Sequence, residues 1–245
     1  MITSSVSAII EPKDQIAYTF TESDWNETSP RNVDQYGAKA TGIDKYNASK
    51  TLAERAAWAF VSEFSGKDDF DLVVINPPFI FGPVIHQMKD IGALNESNAL
   101  LRKALRNSNP EHDAVGAFVG NFVDVRTVAD AHVKAIQVAE AAGNRFIISA
   151  GPFSWQDVCK YLYDTMNNYV PPLLMMTILF EPDDALNDAK VDGVPKGHPG
   201  AQQVASYSLQ DGSKAQRVLG VKYPSLQKTL VDTVNSLKER FPNEL

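Results

Sequence analysis

The chain has 245 residues, enough for one large domain or for a domain plus a lobe, and its content of 44% apolar and 22% charged residues is ordinary for a globular protein. A net charge of −7 argues against a nucleic-acid partner, and no apolar run approaches the ~20 residues that span a bilayer. The four histidines lack metal-ligand spacing, so we expect no metal site. The single cysteine, Cys159, and an N-terminus unlike a signal peptide indicate a cytoplasmic protein without membrane contacts.

The first third of the chain has the order strand, loop, helix, strand. Residues 1–8 predict a buried strand that ends in hydroxyl residues, and residues 11–43 predict a polar, irregular stretch. Apolar residues at three-and-four spacing predict a helix over 46–64. The apolar run 71–76 predicts a parallel strand, which ends at two prolines because proline has no amide hydrogen. This order predicts a βαβ crossover of an α/β fold.

The rest of the chain also alternates between helical and strand patterns. Ser154 and Asp157 have the spacing of a capping box, and residues 181–200 form a loop rich in Pro, Gly and Asp. Strands are predicted over 118–123 and 145–149. Helices are predicted over 95–106, from Asp124 or Thr127 to about 141, from 154 to about 168, over 213–219 and over 225–240.

Tyr46 and Lys50 stand four residues apart on the first predicted helix, so their side chains share a face. A lysine ammonium beside a phenol favours the phenolate, so a tyrosine in this setting can give a proton to a developing alkoxide near neutral pH. The alternative is an exposed pair without a role, because this spacing also arises by chance. Neighbouring polar residues must decide between the two interpretations.

Two segments flank this pair in a way that favours chemistry. Ser5 follows the first predicted strand, where a hydroxyl can stabilise the charge that a carbonyl oxygen gains. Its structural alternative is a serine that satisfies the amides of a turn. Residues 76–83, with the sequence NPPFIFGP, follow the next strand and offer rigid backbone that can flank a flat ring. The alternative interpretation is that this segment only ends the strand and has no role towards a ligand.

Four segments occur in an order that resembles extended short-chain dehydrogenases/reductases, of the NAD-dependent epimerase/dehydratase superfamily. They are ITSSVSAI, YNASKTLAERAAWAF, VVINPPFIFGP and FVDVRTVADAHVKAI. The detail is most similar to fungal ketoreductases and methylglyoxal reductases, which are related to plant dihydroflavonol and cinnamoyl-CoA reductases. The loop around Trp25 and the segment Ala56-Ala57-Trp58 also fit that subgroup.

The resemblance implies an NAD(P)-dependent oxidoreductase that reduces a small aldehyde or ketone, with NADP(H) rather than NAD(H), as a monomer or homodimer. Ser5 then polarises the carbonyl, Tyr46 donates the proton and Lys50 binds the nicotinamide ribose. Pro77 and Ile80 then make backbone contacts to the nicotinamide end of the cofactor, and Ser97 makes a further contact to the cofactor.

The resemblance also implies a first strand and a Gly-x-x-Gly-x-x-Gly turn for the pyrophosphate, which this sequence does not contain. We therefore expect the C-terminal part of a doubly wound, Rossmann-type parallel sheet plus a mixed α/β substrate lobe. Residues 1–82 form the C-terminal half of the dinucleotide-binding and catalytic domain, and 83–245 are mainly the substrate lobe, with about 118–150 returning to the core sheet. The isolated chain is expected to bind cofactor poorly and to aggregate.

Two other functions remain open at this point. A nucleotide-sugar epimerase or dehydratase of the same superfamily uses the same serine, tyrosine and lysine. A non-catalytic remnant would account for the lack of a phosphate-binding turn.

Overall fold

The computed structural model describes residues 1–14, 18–64, 70–106, 119–155, 157–158, 161 and 208–242. The chain divides into two compact units. The first consists of Met1–Ile80, Gly120–Pro152 and Ser206–Pro224, and the second of Phe81–Val119, Phe153–Ala205 and Ser225–Leu245.

The described strands are β1 Ile2–Thr3, β2 Thr19–Phe20, β3 Val74–Asn76, β4 Phe79–Phe81, β5 Val119–Asp124, β6 Arg145–Ile147, β7 Gly151–Ser154 and β8 Leu209–Gln210. The complete described helices are α1 Thr28–Tyr36, α2 Gly42–Phe64, α3 Glu96–Arg106, α4 Val125–Gln137, α5 Ser213–Leu219 and α6 Leu226–Arg240. No described helix combines the length and the apolar character that crossing a membrane requires.

The central sheet of the first unit has the order β1-β3-β6, and both pairings are parallel. Helices α1 and α2 lie between β1 and β3 in the chain, which is the predicted βαβ crossover. The predicted α/β class with a parallel sheet is therefore confirmed. A second pairing, of β2 with β8, was not predicted because strands of two residues leave no periodic pattern.

The first strand is shorter than the sequence predicts. It ends at Thr3, and Val6–Ala8 form a turn of 3₁₀ helix. The Ser5 hydroxyl accepts a hydrogen bond from the Ser7 amide at 3.1 Å and so begins this turn. Val6 and Ala8 are still buried, which explains why the sequence reads as one continuous strand.

The stretch 11–43 is not irregular throughout, because it contains α1. The carboxylate of Glu11 accepts hydrogen bonds from the amides of Glu27 and Thr28, both at 3.0 Å, at the start of this helix. The Asn26 side chain accepts a further bond from the Ser29 amide at 2.8 Å. Glu11 is distant in sequence from the amides it caps, so local spacing could not predict this helix start.

The remaining boundaries agree with the predictions to within a few residues. Asp124, rather than Thr127, caps α4, because its carboxylate accepts the Arg126 amide at 2.8 Å. Ser154 and Asp157 bond to each other's amides, at 3.1 and 2.8 Å, so the capping box is confirmed. The predicted helix continuing to 168 lies mostly outside the described residues, and the predicted loop 181–200 lies wholly outside them.

Each of the two units contains buried apolar residues. In the first, one face of the central sheet packs against α4 and α5. This cluster consists of Val73, Ile75, Val123, Val128, Ala131, Ala135, Ala141, Phe146, Ile148, Ala215, Leu219 and Val221. In the second, α6 buries Leu230, Val234 and Leu237, and the Arg240 guanidinium donates to the carbonyl of Val84 at 2.8 Å.

Candidate active site

Ser5 lies at the carboxyl edge of the central sheet. The Ser4 amide still bonds to the Ile75 carbonyl at 2.8 Å, and the Val6 amide bonds to the Pro77 carbonyl at 3.1 Å. The backbone of Ser5 is extended, with φ −161° and ψ 155°. Its hydroxyl oxygen accepts the Ser7 amide, which leaves the hydroxyl proton to be donated. The turn-capping role and a role towards a ligand are therefore compatible.

Tyr46 and Lys50 lie on α2, in the second and third turns. Thr41 and Asp44 fix the start of this helix, since the Thr41 hydroxyl accepts the Asp44 amide at 3.1 Å and donates to its carboxylate at 2.8 Å. Hydrogen bonds from Thr41 and Asn32 lower the pKa of the Asp44 carboxyl, so a negative charge stays at the positive end of the helix. Tyr46 is 49% exposed and Lys50 is half-buried.

Packing brings the Tyr46–Lys50 helix to Ser5. Helix α2 packs against the Val6–Ala8 turn that Ser5 begins. The side-chain amide of Asn76, the last residue of β3, donates to the Ser5 carbonyl at 3.1 Å. The serine and the helix that carries the tyrosine and lysine therefore belong to one packed assembly at the end of β1 and β3.

The three predicted cofactor contacts lie in different places. Pro77 is buried immediately after β3, at the same sheet edge as Ser5. Ile80, on β4, is half-buried and packs against the apolar cluster of the first unit. Ser97 is the second residue of α3 and belongs to the second unit, so it is not among the residues that the first unit brings together.

Sequence reasoning missed a buried pair of charged residues, one on α2 and one on the sheet that it faces. Glu54 is 1% exposed, and its carboxylate accepts the Asn76 side-chain amide at 2.8 Å and the Arg145 guanidinium at 2.5 Å. We call Glu54, Asn76 and Arg145 the Glu54 network. Two signals could have found it. Glu54 continues the four-residue spacing of Tyr46 and Lys50, and Arg145 opens an apolar strand in which a charge needs a partner.

Among the residues that the structure describes, no three or more His, Cys, Asp or Glu side chains are grouped so that they could hold a metal ion. The assembly of α2 and the Ser5 turn carries the Ser5 hydroxyl, the Tyr46 phenol and the Lys50 ammonium. Groups of these types can donate hydrogen bonds and a proton to an oxygen that becomes negatively charged.

Comparison with known proteins finds oxidoreductases among the relatives of this chain. No protein-family model matches the chain. The chain is 34% identical to an uncharacterised oxidoreductase of Schizosaccharomyces pombe, over 98% of the chain and 62% of that protein. It is 32% identical to the ketoreductase azaE of Aspergillus niger, over 98% of the chain and 62% of the ketoreductase. The chain thus spans less than two thirds of the length of these relatives.

A solved structure shows the same fold. The yeast methylglyoxal/isovaleraldehyde reductase in complex with NADPH has a TM-score of 0.76 and 28% identity to this chain, and the match covers 99% of the chain and 64% of the reductase. The resemblance seen in the sequence is therefore confirmed. The homologues of this chain include fungal oxidoreductases, among them a methylglyoxal reductase and a ketoreductase, and its described part has an α/β fold like that of the solved reductase.

Proposed function

We propose that the protein reduces a small aldehyde or ketone to an alcohol with NADPH. The observation that carries this proposal is the packing of α2, with Tyr46 and Lys50, against the turn that Ser5 begins. The names of the relatives favour a carbonyl reductase over an epimerase, because they include a methylglyoxal reductase and a ketoreductase.

Each of the three residues has a distinct role in this proposal. The Ser5 hydroxyl donates a hydrogen bond to the carbonyl oxygen and stabilises its negative charge as the C–O double bond is reduced. The Tyr46 hydroxyl then transfers its proton to that oxygen, and solvent returns a proton to the phenolate. The Lys50 ammonium stabilises the phenolate and binds the ribose hydroxyls of the cofactor.

NADPH, when bound, supplies the hydride. The residues present fit its nicotinamide end, because Ser5 follows β1 and Pro77 follows β3 at the carboxyl edge of parallel strands, where ligands bind in open α/β sheets. In this proposal Pro77, Ile80 and Ser97 supply the further contacts. In this proposal residues 1–82 belong to the dinucleotide-binding and catalytic domain, residues 83–245 are mainly the substrate lobe, and about 118–150 return to the core sheet. Because the sequence has no glycine turn for the pyrophosphate, we expect weak NADPH binding by this chain.

The test is NADPH oxidation with methylglyoxal or isovaleraldehyde, at cofactor concentrations high enough to compensate for weak binding. We expect Tyr46→Phe to lower kcat by about 10²- to 10⁴-fold, because it removes only the proton donor. Tyr36→Phe, at an exposed tyrosine on α1, is the matched control and should leave kcat unchanged. Equal rates for Tyr46→Phe and the unaltered protein would overturn the proposal, as would a folded protein that oxidises no NADPH.

A further inference from the structure

The Glu54 network contains a buried charge on the helix that carries Tyr46 and Lys50. Glu54 follows Lys50 by four residues on the 23-residue helix α2, so it lies on the same side, one turn further along. One carboxylate oxygen accepts the Asn76 amide at 2.8 Å, and the other accepts the Arg145 guanidinium at 2.5 Å and the Trp58 indole at 3.4 Å.

Asn76 connects this carboxylate directly to Ser5. Its side-chain nitrogen donates to Glu54 at 2.8 Å and to the Ser5 carbonyl at 3.1 Å, so both of its N–H groups have a partner. One rigid amide at the end of β3 therefore joins the Tyr46–Lys50 helix to the backbone of the serine. These bonds fix how far α2 can slide or rotate relative to Ser5.

Arg145 holds the other side of the carboxylate. One guanidinium nitrogen donates to the carbonyls of Glu22 and Asp24, both at 2.8 Å, and the guanidinium lies 3.8 Å from the centre of the Trp25 ring. Arg145 is itself on β6, which pairs with β3. Glu54 is thus held by two strands of the sheet.

Burying this ion pair is a poor way to stabilise a fold. The side chains of Glu54 and Arg145 are 0% and 8% exposed, and the cost of removing two such charges from water commonly equals or exceeds their attraction. Apolar residues of similar volume would serve the core as well. Hydrogen bonds that fix the position of α2 relative to the sheet account for charged residues at this place.

We propose that Glu54 and Asn76 are positioning residues that set the place of Tyr46 and Lys50 relative to Ser5. The inference rests on the carbonyl reduction proposed above. Neither side chain touches the reacting atoms. They act through the backbone of Ser5 and through α2, and a misplacement of about 1 Å at such a site can cost a factor of about 100 in rate.

The test compares Asn76→Leu with Asn121→Leu. Asn121 is a suitable control because it is also buried in the first unit and donates to one backbone carbonyl, that of Ser208, at 2.9 Å. We expect Asn76→Leu to lower kcat about 10- to 100-fold with little change in KM for NADPH. Asn121→Leu should lower the midpoint of thermal unfolding but leave kcat unchanged.

Amide hydrogen exchange supplies a measurement that needs no activity. Exchange at Val6 and Ser7 should rise about 2- to 10-fold in Asn76→Leu, the effect of losing one hydrogen bond, and should not rise in Asn121→Leu. If the unaltered protein reduces no carbonyl, the proposed function fails while exchange still decides whether Asn76 holds the Ser5 turn. Exchange equal to that of the control would overturn the inference, and so would an unchanged kcat in an active enzyme.

If Asn76→Leu does not fold, Glu54→Gln provides the same comparison, because it keeps the side-chain shape but removes the charge that Asn76 and Arg145 bind. A fall in kcat with faster exchange at Val6 and Ser7 would support the positioning role. Unchanged values of both would reject it.

Discussion

The two faces of the central sheet differ in the polar groups that they bury. Successive residues along a strand point to opposite faces of the sheet, so β3 and β6 supply residues to both faces. One face is apolar and packs against α4 and α5; it carries Val73, Ile75, Phe146 and Ile148. The other face, here called the polar face, lies towards α2 and carries the buried polar contacts of Asn76 and Arg145 with Glu54. It also carries Ile147, which packs with Val6, Ile9 and Phe20. Both faces therefore contribute buried apolar residues, and the polar face in addition connects the sheet to the candidate site.

The largest expected effect comes from breaking the charge pair on the polar face. Arg145→Ala leaves the Glu54 carboxylate buried without a cationic partner, so the free energy of unfolding should fall by about 3–5 kcal/mol. Urea unfolding monitored by circular dichroism measures this change. Arg55→Ala is the matched control, because Arg55 also stacks on Trp25 but pairs with Glu27 at the surface. It should cost about 1 kcal/mol or less.

The cause of that loss can be tested by removing both charges. The double variant Glu54→Leu with Arg145→Met should be more stable than Arg145→Ala alone, because no uncompensated charge remains. A double variant that is less stable than Arg145→Ala would contradict this explanation.

The apolar face should respond in stability alone. Ile75→Ala removes a fully buried side chain from the cluster and should lower the free energy of unfolding by about 2–5 kcal/mol. At a temperature where the variant is folded, its kcat should remain within about twofold of the unaltered protein, taking a twofold change as about 0.4 kcal/mol in barrier height. A loss of kcat as large as that of Asn76→Leu would show that the two faces do not differ in role.

A smaller effect with a defined pH dependence is expected at Glu11. Burial alone would raise the pKa of its carboxyl, but hydrogen bonds from Lys13, Thr28 and Glu27 lower it from 4.5 to about 2. A lowered native pKa means that the stabilisation is complete above pH 4.5 and is lost as the pH falls towards 2. Glu11→Ala should therefore cost about 1 kcal/mol at pH 7 and progressively less below pH 4.5.

Thermal unfolding of Glu11→Ala between pH 2 and pH 7 checks this expectation. Asp34→Ala is the control, since Asp34 is an exposed carboxylate in the later part of the same helix. A difference from the unaltered protein that stays constant across this pH range would show that the carboxylate does not stabilise the start of α1.

Local patterns along the chain and contacts between distant residues differ in what the sequence can predict. The run 71–76 and the pair Tyr46 and Lys50 are local patterns, so the parallel strand, the helix and their order could be predicted. The bond between Glu54 and Arg145 joins residues 91 positions apart, and spacing carries no information about such contacts. The cap that Glu11 provides for α1 was missed for the same reason.

Isotope transfer tests the central claim most directly. NADPH that carries deuterium as its transferable hydride is incubated with the protein and an aldehyde, and the alcohol is analysed by mass spectrometry and NMR. We expect deuterium on the former carbonyl carbon, formed by the unaltered protein and by Tyr36→Phe, and formed about 10²-fold or more slowly by Tyr46→Phe. An alcohol without deuterium, or labelled alcohol formed equally fast by Tyr46→Phe, would contradict the assignment of Tyr46, Lys50 and Ser5 to carbonyl reduction.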